Sequence, residues 1–130
     1  MSAMEPILEG LTVESERLYK EHKFKEVEEM FSTFLKEAVG EKPEIRAQAL
    51  NNRGHAKYMQ VKFDEALVDY EESIVLAKTI PATFYNRATI KFRMGKFDEA
   101  LPDFEEAATQ APQNEEFQEG LAKCRSAAKE

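Results

Sequence analysis

The sequence is poor in the residues that mark several common classes of protein. It contains one cysteine, Cys124, and only five glycines and five prolines in 130 residues. One cysteine excludes an internal disulfide framework, and so few glycines and prolines argue against a turn-dense β-sandwich. The longest apolar stretches, such as residues 74–77, are far too short to span a bilayer. The first residues lack the basic and apolar stretches of a secretory signal, so we expect a cytoplasmic protein with no membrane partner.

An excess of basic residues is also missing. The chain has 18 basic and 25 acidic residues, which give a formal net charge of −7. Nucleic-acid recognition needs clustered cations, so we expect no nucleic-acid partner. The apolar share of 42% and the charged share of 33% argue against disorder and suit charged helices that share a modest core.

An internal repeat organises the chain. Residues 47–80 and 81–114 align without a gap over 34 residues and are identical at 13 positions. The longest identical run, Lys-Phe-Asp-Glu-Ala-Leu, occupies residues 62–67 in one copy and 96–101 in the other. Self-similarity at a fixed period predicts stacked supersecondary units rather than one mixed core.

Three further segments flank the two clear copies of the repeat. A fainter copy occupies residues 8–41, and residues 42–46 form a spacer in which Pro43 is expected to break any helix. Apolar residues recur at helical spacing in each copy, which predicts two helices per unit. A final amphipathic segment, 115–129, predicts a helix that is capped by Asn114 and covers the last pair. The whole chain is expected to be one all-α domain of seven helices.

Three features of the second helix in the clear repeats can also be predicted. It is expected to open near Asp64 or Asp98 as the N-cap. Phe63 and Phe97 are expected to be buried rings, whose truncation costs about 3–5 kcal/mol. Pro102 lies a few residues inside its helix and is expected to distort it locally.

This pattern resembles the tetratricopeptide repeat, a 34-residue helix–turn–helix with large, small and large residues in its first helix and alanine, aromatic and alanine in its second. The match is strongest at Phe84, Ala88, Phe97, Ala100 and Phe104. The resemblance implies an α-solenoid of three repeats plus a C-terminal capping helix, wound as a right-handed superhelix. It also implies a non-catalytic protein-interaction module, an adaptor or scaffold, whose concave groove is lined by the first helix of each repeat.

The groove face of these first helices carries amides and aromatic rings with few charges, a mixture that suits protein contact. The expected contact residues are Asn51, Asn52, His55, Tyr85, Asn86, Thr89 and Arg93. The partner is expected to be a peptide or helix of a protein of unknown identity, and the protein itself a monomer or weak homodimer. An alternative is a structural subunit that associates with itself or stacks within a larger complex.

Some tetratricopeptide repeat proteins grip the C-terminal carboxylate of a chaperone tail, and the Asn-Arg dipeptides of this sequence resemble part of that site. The grip places cations and amides at five positions, where they form charge-assisted hydrogen bonds. The corresponding residues here are Thr12, Glu16, Asn52, Ala82 and Asn86, of which only Asn52 matches. Glu16 would repel an acidic tail, so a chaperone-tail binder is the less favoured alternative.

Two arginines occupy a repeat position that is usually apolar. Arg53 and Arg87 are each followed, sixteen residues later, by an aspartate, Asp69 or Asp103, whereas the fainter copy has Glu14 and Met30 at these two positions. We therefore predict the ion pairs Arg53–Asp69 and Arg87–Asp103 within each helical hairpin. A structural role is expected for them, because a partly buried pair specifies geometry more reliably than it adds stability.

No set of catalytic residues stands out. The glutamate doublets at 71–72 and 105–106 recur at one repeat position, so a solvated outer face explains them better than acid–base chemistry. His22, His55 and Cys124 are isolated and lack zinc-ligand spacing. A glycine-rich phosphate loop is also missing. We therefore predict no enzyme activity, no metal site and no cofactor.

Overall fold

The regular secondary structure of the described residues is entirely helical. The computed structural model describes residues 2–129. Seven helices and no strand occur in this span: α1 (Met4–Lys20), α2 (Phe24–Glu37), α3 (Pro43–Met59), α4 (Phe63–Leu76), α5 (Pro81–Arg93), α6 (Phe97–Gln110) and α7 (Glu115–Ala128). The predicted all-α class and number of helices are confirmed.

The helices form two compact units, with the boundary between Ala77 and Lys78. The first unit contains α1–α4, and its core includes the buried side chains of Leu18, Val27, Phe31, Phe34, Leu50 and Ala56. The second unit contains α5–α7, and its core is smaller: Ala88, Ala100, Phe104, Ala108, Leu121 and Cys124. Each unit therefore buries an apolar face of its own helices.

A ring packed against a glycine holds the α3–α4 hairpin together. A Cβ atom on Gly54 would lie 2.6 Å from Cε1 of Tyr70, so the missing side chain is what allows α4 to approach α3 so closely. In the second unit Ala88 takes the place of Gly54, and Phe104 takes the place of Tyr70, with both side chains buried. The large-and-small pattern of the repeat thus records the contact between the two helices of a hairpin.

The residues predicted as a helix-breaking spacer, 42–46, belong mostly to α3. Pro43 is the first residue of this helix, and Lys42 is its N-cap. Proline is favoured at the first helical position because its missing N–H has no intrahelical partner there and its φ is already helical. The predicted break at Pro43 is therefore wrong, since the proline begins a helix.

The predicted N-caps of α4 and α6 are wrong by two residues. Each helix begins at its phenylalanine, and the N-cap is the lysine before it, whose side chain makes no capping hydrogen bond. Asp64 and Asp98 lie within the first turn, where the helix dipole favours a carboxylate. The cap predicted for α7 is confirmed, because Oδ1 of Asn114 accepts a hydrogen bond from the N–H of Phe117 at 3.0 Å.

Phe63 and Phe97 are half-buried, not the core rings that the sequence predicted. Each is the first residue of its helix, so its ring lies at the edge of the hairpin. The ring centroid of Phe63 is 5.6 Å from that of Tyr58, and the centroid of Phe97 is 5.0 Å from that of Phe92. Their truncation is therefore expected to cost less than the 3–5 kcal/mol of a fully buried ring.

Each turn between the first and second helix of a hairpin contains one left-handed residue. The φ angle is 58° at His22, 62° at Val61 and 77° at Gly95. The next N–H bonds back into the preceding helix, as from Lys62 to the carbonyl of Lys57 at 3.0 Å, which is the Schellman arrangement. Glycine adopts this conformation freely, whereas a β-branched residue such as valine is strained in it.

Replacing Val61 with glycine is expected to raise the free energy of unfolding by about 1 kcal/mol, because it relieves this strain at a modest entropic cost in the unfolded chain. The valine side chain is 72% exposed, so little packing is lost. Urea denaturation followed by circular dichroism measures the change. The reciprocal variant, Gly95→Val, is expected to lose stability, and a gain in that variant would show that the turn imposes no strain.

Pro102 lies inside α6, yet the helix continues from Phe97 to Gln110. Proline has no N–H to donate to the carbonyl of residue 98. The equivalent residue of α4 is Val68, which is exposed. Pro102→Val is therefore expected to raise the free energy of unfolding by about 1–2 kcal/mol, after the entropy of the unfolded chain is subtracted. Val68→Pro is the matched reciprocal variant, and thermal unfolding that shows no loss in it would contradict this reasoning.

Candidate interaction surfaces

Arg53 and Asp69 form a bidentate ion pair in the first unit. Nε and Nη2 of Arg53 donate to the two carboxylate oxygens at 2.9 and 2.8 Å, and Nζ of Lys57 lies 3.0 Å from the same carboxylate. The hydrogen bond to Asp69 raises the pKa of Arg53 above its usual value, against the opposing effect of burial. Asp69 is only 1% exposed, so a ligand has almost no access to this carboxylate.

The second unit contains the same arrangement. Nε and Nη2 of Arg87 donate to the carboxylate oxygens of Asp103, both at 2.8 Å, and Nζ of Lys91 lies 3.3 Å away. In both units the pair joins the first helix of a hairpin to the second. We interpret both pairs as structural, because each carboxylate is enclosed by its own hairpin.

Asn52 belongs to a chain of polar contacts between α1 and α3. Its Nδ2 donates to Oγ1 of Thr12 at 3.3 Å, and its Oδ1 accepts from Nε2 of Gln48 at 3.0 Å. The hydroxyl of Thr12 in turn donates to the carbonyl of Leu8 at 2.9 Å. Asn52 is half-buried, so it presents part of its surface with an orientation that its neighbours hold.

His55 lies in a row of aromatic rings on the first unit. Its ring centroid is 5.4 Å from that of Tyr19, edge to face, and 6.1 Å from that of Tyr58, stacked. Burial raises the pKa of Tyr19, so its hydroxyl stays protonated. Half-buried rings of this kind offer apolar area with polar edges.

Asn51 differs from the other predicted contact residues, because it is only 6% exposed. Its Nδ2 lies 3.4 Å from Oδ1 of Asn52. The buried residues of α3 are distributed around most of the helix, which the periodicity did not indicate. A buried amide is a poor ligand contact, so Asn51 is not among the contact residues that we propose.

An open cleft of about 400 Å³ lies between α5 and α7 in the second unit. Its lining residues are Tyr85, Thr89, Phe92, Arg93, Phe104, Glu116, Glu119, Gly120 and Lys123. Tyr85, Thr89 and Arg93 therefore share one cleft, whereas Asn86 does not line it. The ring of Tyr85 stacks on that of Phe117, with the centroids 4.9 Å apart, and this contact holds the ring in place.

A second cleft, of about 500 Å³, lies between α1 and α3 in the first unit. Its lining residues are Glu5, Leu8, Glu9, Thr12, Val13, Glu44, Ile45 and Gln48. None of the seven predicted contact residues lines this cleft, although Asn52 bonds to two residues that do. We call it the α1–α3 cleft.

Sequence reasoning missed several residues of these clefts. Glu119 and Lys123 lie on the helix that was interpreted only as a cap, although their spacing of four residues places them on one helical face. Glu44 was missed because it lies in the segment interpreted as a spacer. Glu5 precedes the first copy of the repeat, and Val13 carries no signal of repetition because that copy is faint.

The side chains that could carry chemistry are the two histidines, Cys124 and the paired glutamates. Within residues 2–129, no three His, Cys, Asp or Glu side chains are arranged to hold a metal ion. Cys124 is buried, and burial raises the pKa of its thiol, which lowers its reactivity. The exposed glutamate doublets at 71–72 and 105–106 line neither cleft. Each of the seven helices is too short or too polar to cross a membrane.

Comparison with known proteins identifies the repeat. Two sequence models of the tetratricopeptide repeat match the chain, one over residues 46–80 and the other over residues 81–114. Together they cover more than half of the sequence. Among curated proteins, none matches the chain.

Solved structures with the same fold cover nearly the whole chain. The first TPR domain of Spaghetti (RPAP3), bound to the HSP90 peptide SRMEEVD, is 20% identical, with a TM-score of 0.81 over 95% of this chain and 96% of that one. The second TPR domain of human RPAP3, in complex with the HSP70 peptide SGPTIEEVD, is 24% identical, with a TM-score of 0.72 over 88% and 92%. The TPR2B domain of yeast Sti1, in complex with an Hsp70 peptide, is 18% identical, with a TM-score of 0.76 over 92% and 96%. At these identities the likeness concerns the fold alone.

Proposed function

Because the chain belongs to the tetratricopeptide repeat family, we propose that it is a non-catalytic interaction module, a cytoplasmic adaptor that binds a peptide or helix of a partner protein. The observation that carries this proposal is the cleft between α5 and α7, where three of the predicted contact residues meet. The peptide complexes of structures with this fold support it. We also propose a finer resemblance, to tetratricopeptide repeat protein 32. It rests on the Asn-Asn-Arg-Gly run at 51–54 and the Tyr-Asn-Arg run at 85–87.

The contact residues that we propose combine anchored rings with adaptable polar groups. Tyr85 supplies a ring held by Phe117, and Thr89 and Arg93 lie on the following turns of α5. In the first unit, Asn52 and His55 are half-buried and oriented by their neighbours. Preorganised side chains bind with a smaller loss of entropy, which favours their use as contacts.

A pull-down from cell lysate tests this function with paired substitutions at the proposed contact residues. Thr89→Ala/Arg93→Ala changes the cleft of the second unit, and Asn52→Ala/Asn86→Ala changes the predicted amides. Glu72→Ala/Glu106→Ala is the matched control, because both glutamates are exposed and line neither cleft. A protein retained by the parent and the control, but lost by a contact-site variant, would support the proposal. Identical retention by all three variants would contradict these contact sites.

Binding of chaperone tails is the narrower alternative within the same class. The peptides bound by the two RPAP3 domains both end in Glu-Glu-Val-Asp. Only one of the five grip positions of this chain matches, and Glu16 would repel the acidic tail. We therefore expect labelled SRMEEVD and SGPTIEEVD to show no more change in fluorescence anisotropy than scrambled peptides. Specific binding that Asn52→Ala abolishes would establish the chaperone-tail function instead.

Self-association is the second candidate. A separate cleft between α1 and α2 supports it, since Ile7, Leu11 and Met30 line that cleft beside three glutamates and Ile7 is exposed. Sedimentation velocity over a wide range of concentration distinguishes the two functions. A monomer at every concentration favours the interaction module, whereas a stable dimer that Ile7→Ser disrupts favours the structural subunit.

A further inference from the structure

The α1–α3 cleft carries charge of one sign. Glu5, Glu9 and Glu44 lie at its rim, and its lining contains neither lysine nor arginine. Among residues 2–129, no cation forms a salt bridge with any of these three glutamates. The cleft of the second unit differs, because Arg93 and Lys123 are part of its lining.

The floor of the same cleft is apolar. Leu8 and Ile45 form it, and both belong to the core of the first unit. Val13 also lines the cleft but is 67% exposed. An apolar side chain beside an open apolar floor provides contact area that a partner can cover.

The glutamates of α1 are spaced by one helical turn. Glu5 and Glu9 are four residues apart, and Val13 follows after four more. Glu44 faces them from the first turn of α3. A helix laid along this cleft would present its own side chains at the same spacing, so basic residues one turn apart can each meet a carboxylate.

We propose that the α1–α3 cleft binds a basic amphipathic helix of a partner protein. Its apolar side chains cover Val13 and the floor, and its lysines and arginines meet Glu5, Glu9 and Glu44. This inference rests on the proposed peptide-binding function and names the class of its ligand. The three carboxylates oppose an acidic tail, and they equally oppose a second copy of this chain, whose net charge is −7.

The test uses a fluorescein-labelled helical peptide of leucine and lysine, with the leucines at i, i+3, i+4 and i+7. Its counterpart has glutamate in place of every lysine. Fluorescence anisotropy is measured with the full-length protein at low and high salt. We expect saturable binding of the lysine peptide that weakens as salt rises, and no binding of the glutamate peptide.

Two triple variants with the same change in charge locate the site. Glu5→Gln/Glu9→Gln/Glu44→Gln removes the rim carboxylates, and Glu26→Gln/Glu29→Gln/Glu37→Gln removes three from the cleft between α1 and α2. The first is expected to weaken binding about tenfold, because each exposed ion pair contributes a modest factor. The second is expected to change it little. Val13→Ser, at an exposed position, is expected to weaken binding without lowering stability, as circular dichroism can verify.

The other outcomes overturn the inference in distinguishable ways. Equal weakening by both triple variants would show attraction to the net charge rather than to this cleft. Preferred binding of the glutamate peptide would overturn the ligand class while leaving a peptide-binding module. Failure of both peptides would also overturn it, and the pull-down with Thr89→Ala/Arg93→Ala then decides separately whether the proposed function holds.

Discussion

Tyr70→Ala is expected to lower the free energy of unfolding by about 3–5 kcal/mol, the largest effect of any single substitution considered. The Tyr70 ring is 1% exposed and packs directly against the backbone of α3 at Gly54. Truncation removes the apolar area of the ring and leaves a cavity that the rigid helical backbone cannot close. Small domains have only about 5–15 kcal/mol of stability in total, so this loss is a large part of it. Urea denaturation followed by circular dichroism gives the change in free energy.

Two control variants separate the contribution of the Tyr70 ring from that of its hydroxyl and from that of a ring at a less buried position. Tyr70→Phe keeps the ring and recreates the aromatic residue of the second unit, so we expect a loss well below that of alanine. Phe63→Ala removes a ring of similar size that is half-buried, and roughly half of the effect is expected, in proportion to the area lost. If Phe63→Ala proved as destabilising as Tyr70→Ala, the packing of this hairpin would be misassigned.

Asp69→Asn is expected to cost about 2–3 kcal/mol. The substitution keeps the shape of the side chain but removes the charge that receives two hydrogen bonds from Arg53 and faces Lys57. Breaking a fully buried pair costs about 3–5 kcal/mol, because one charge is left without its partner. Here both cations keep part of their surface in water, so the cost is expected to be lower.

Further variants distinguish this mechanism from a loss of packing. Arg53→Met is expected to cost less than Asp69→Asn, because Lys57 still neutralises the carboxylate. The double variant Arg53→Met/Asp69→Leu is expected to recover much of the lost stability, since apolar residues of similar volume can replace such a pair. Chemical denaturation of Arg53→Met, Asp69→Leu and the double variant gives the coupling energy. Additive losses would show that the two residues act independently and would remove the structural role of the pair.

The positions of the helices could largely be predicted from the repeat, because helical periodicity is a local property of the chain. Asn114 was predicted as a cap for the same reason, since a cap bonds to a residue three positions away. The N-caps predicted at Asp64 and Asp98 were wrong because aspartate is favoured both as a cap and within the first turn. The helix break predicted at Pro43 was wrong because proline can end one helix or begin another.

The candidate site was less predictable, because it depends on contacts between helices that are distant in sequence. Tyr85, Thr89 and Arg93 were found from their place in the repeat, but Lys123 lines the same cleft from a helix outside the repeats. Asn51 has the spacing of a contact residue and is nevertheless buried. Periodicity shows which face of a helix a residue occupies, but not whether another helix covers that face.

By itself, the sequence determined the class of fold, the helical hairpins and the pairing of small with large residues, since all of these follow from spacing along the chain. Only the tertiary structure decided which rings are buried, since Tyr70 lies against α3 while Phe63 lies at the edge of the hairpin. It also decided where Glu5, Glu9 and Glu44 come together around an apolar floor. The reason is physical: burial and charge clustering are properties of surfaces in contact, and those surfaces form only when helices far apart in sequence pack together.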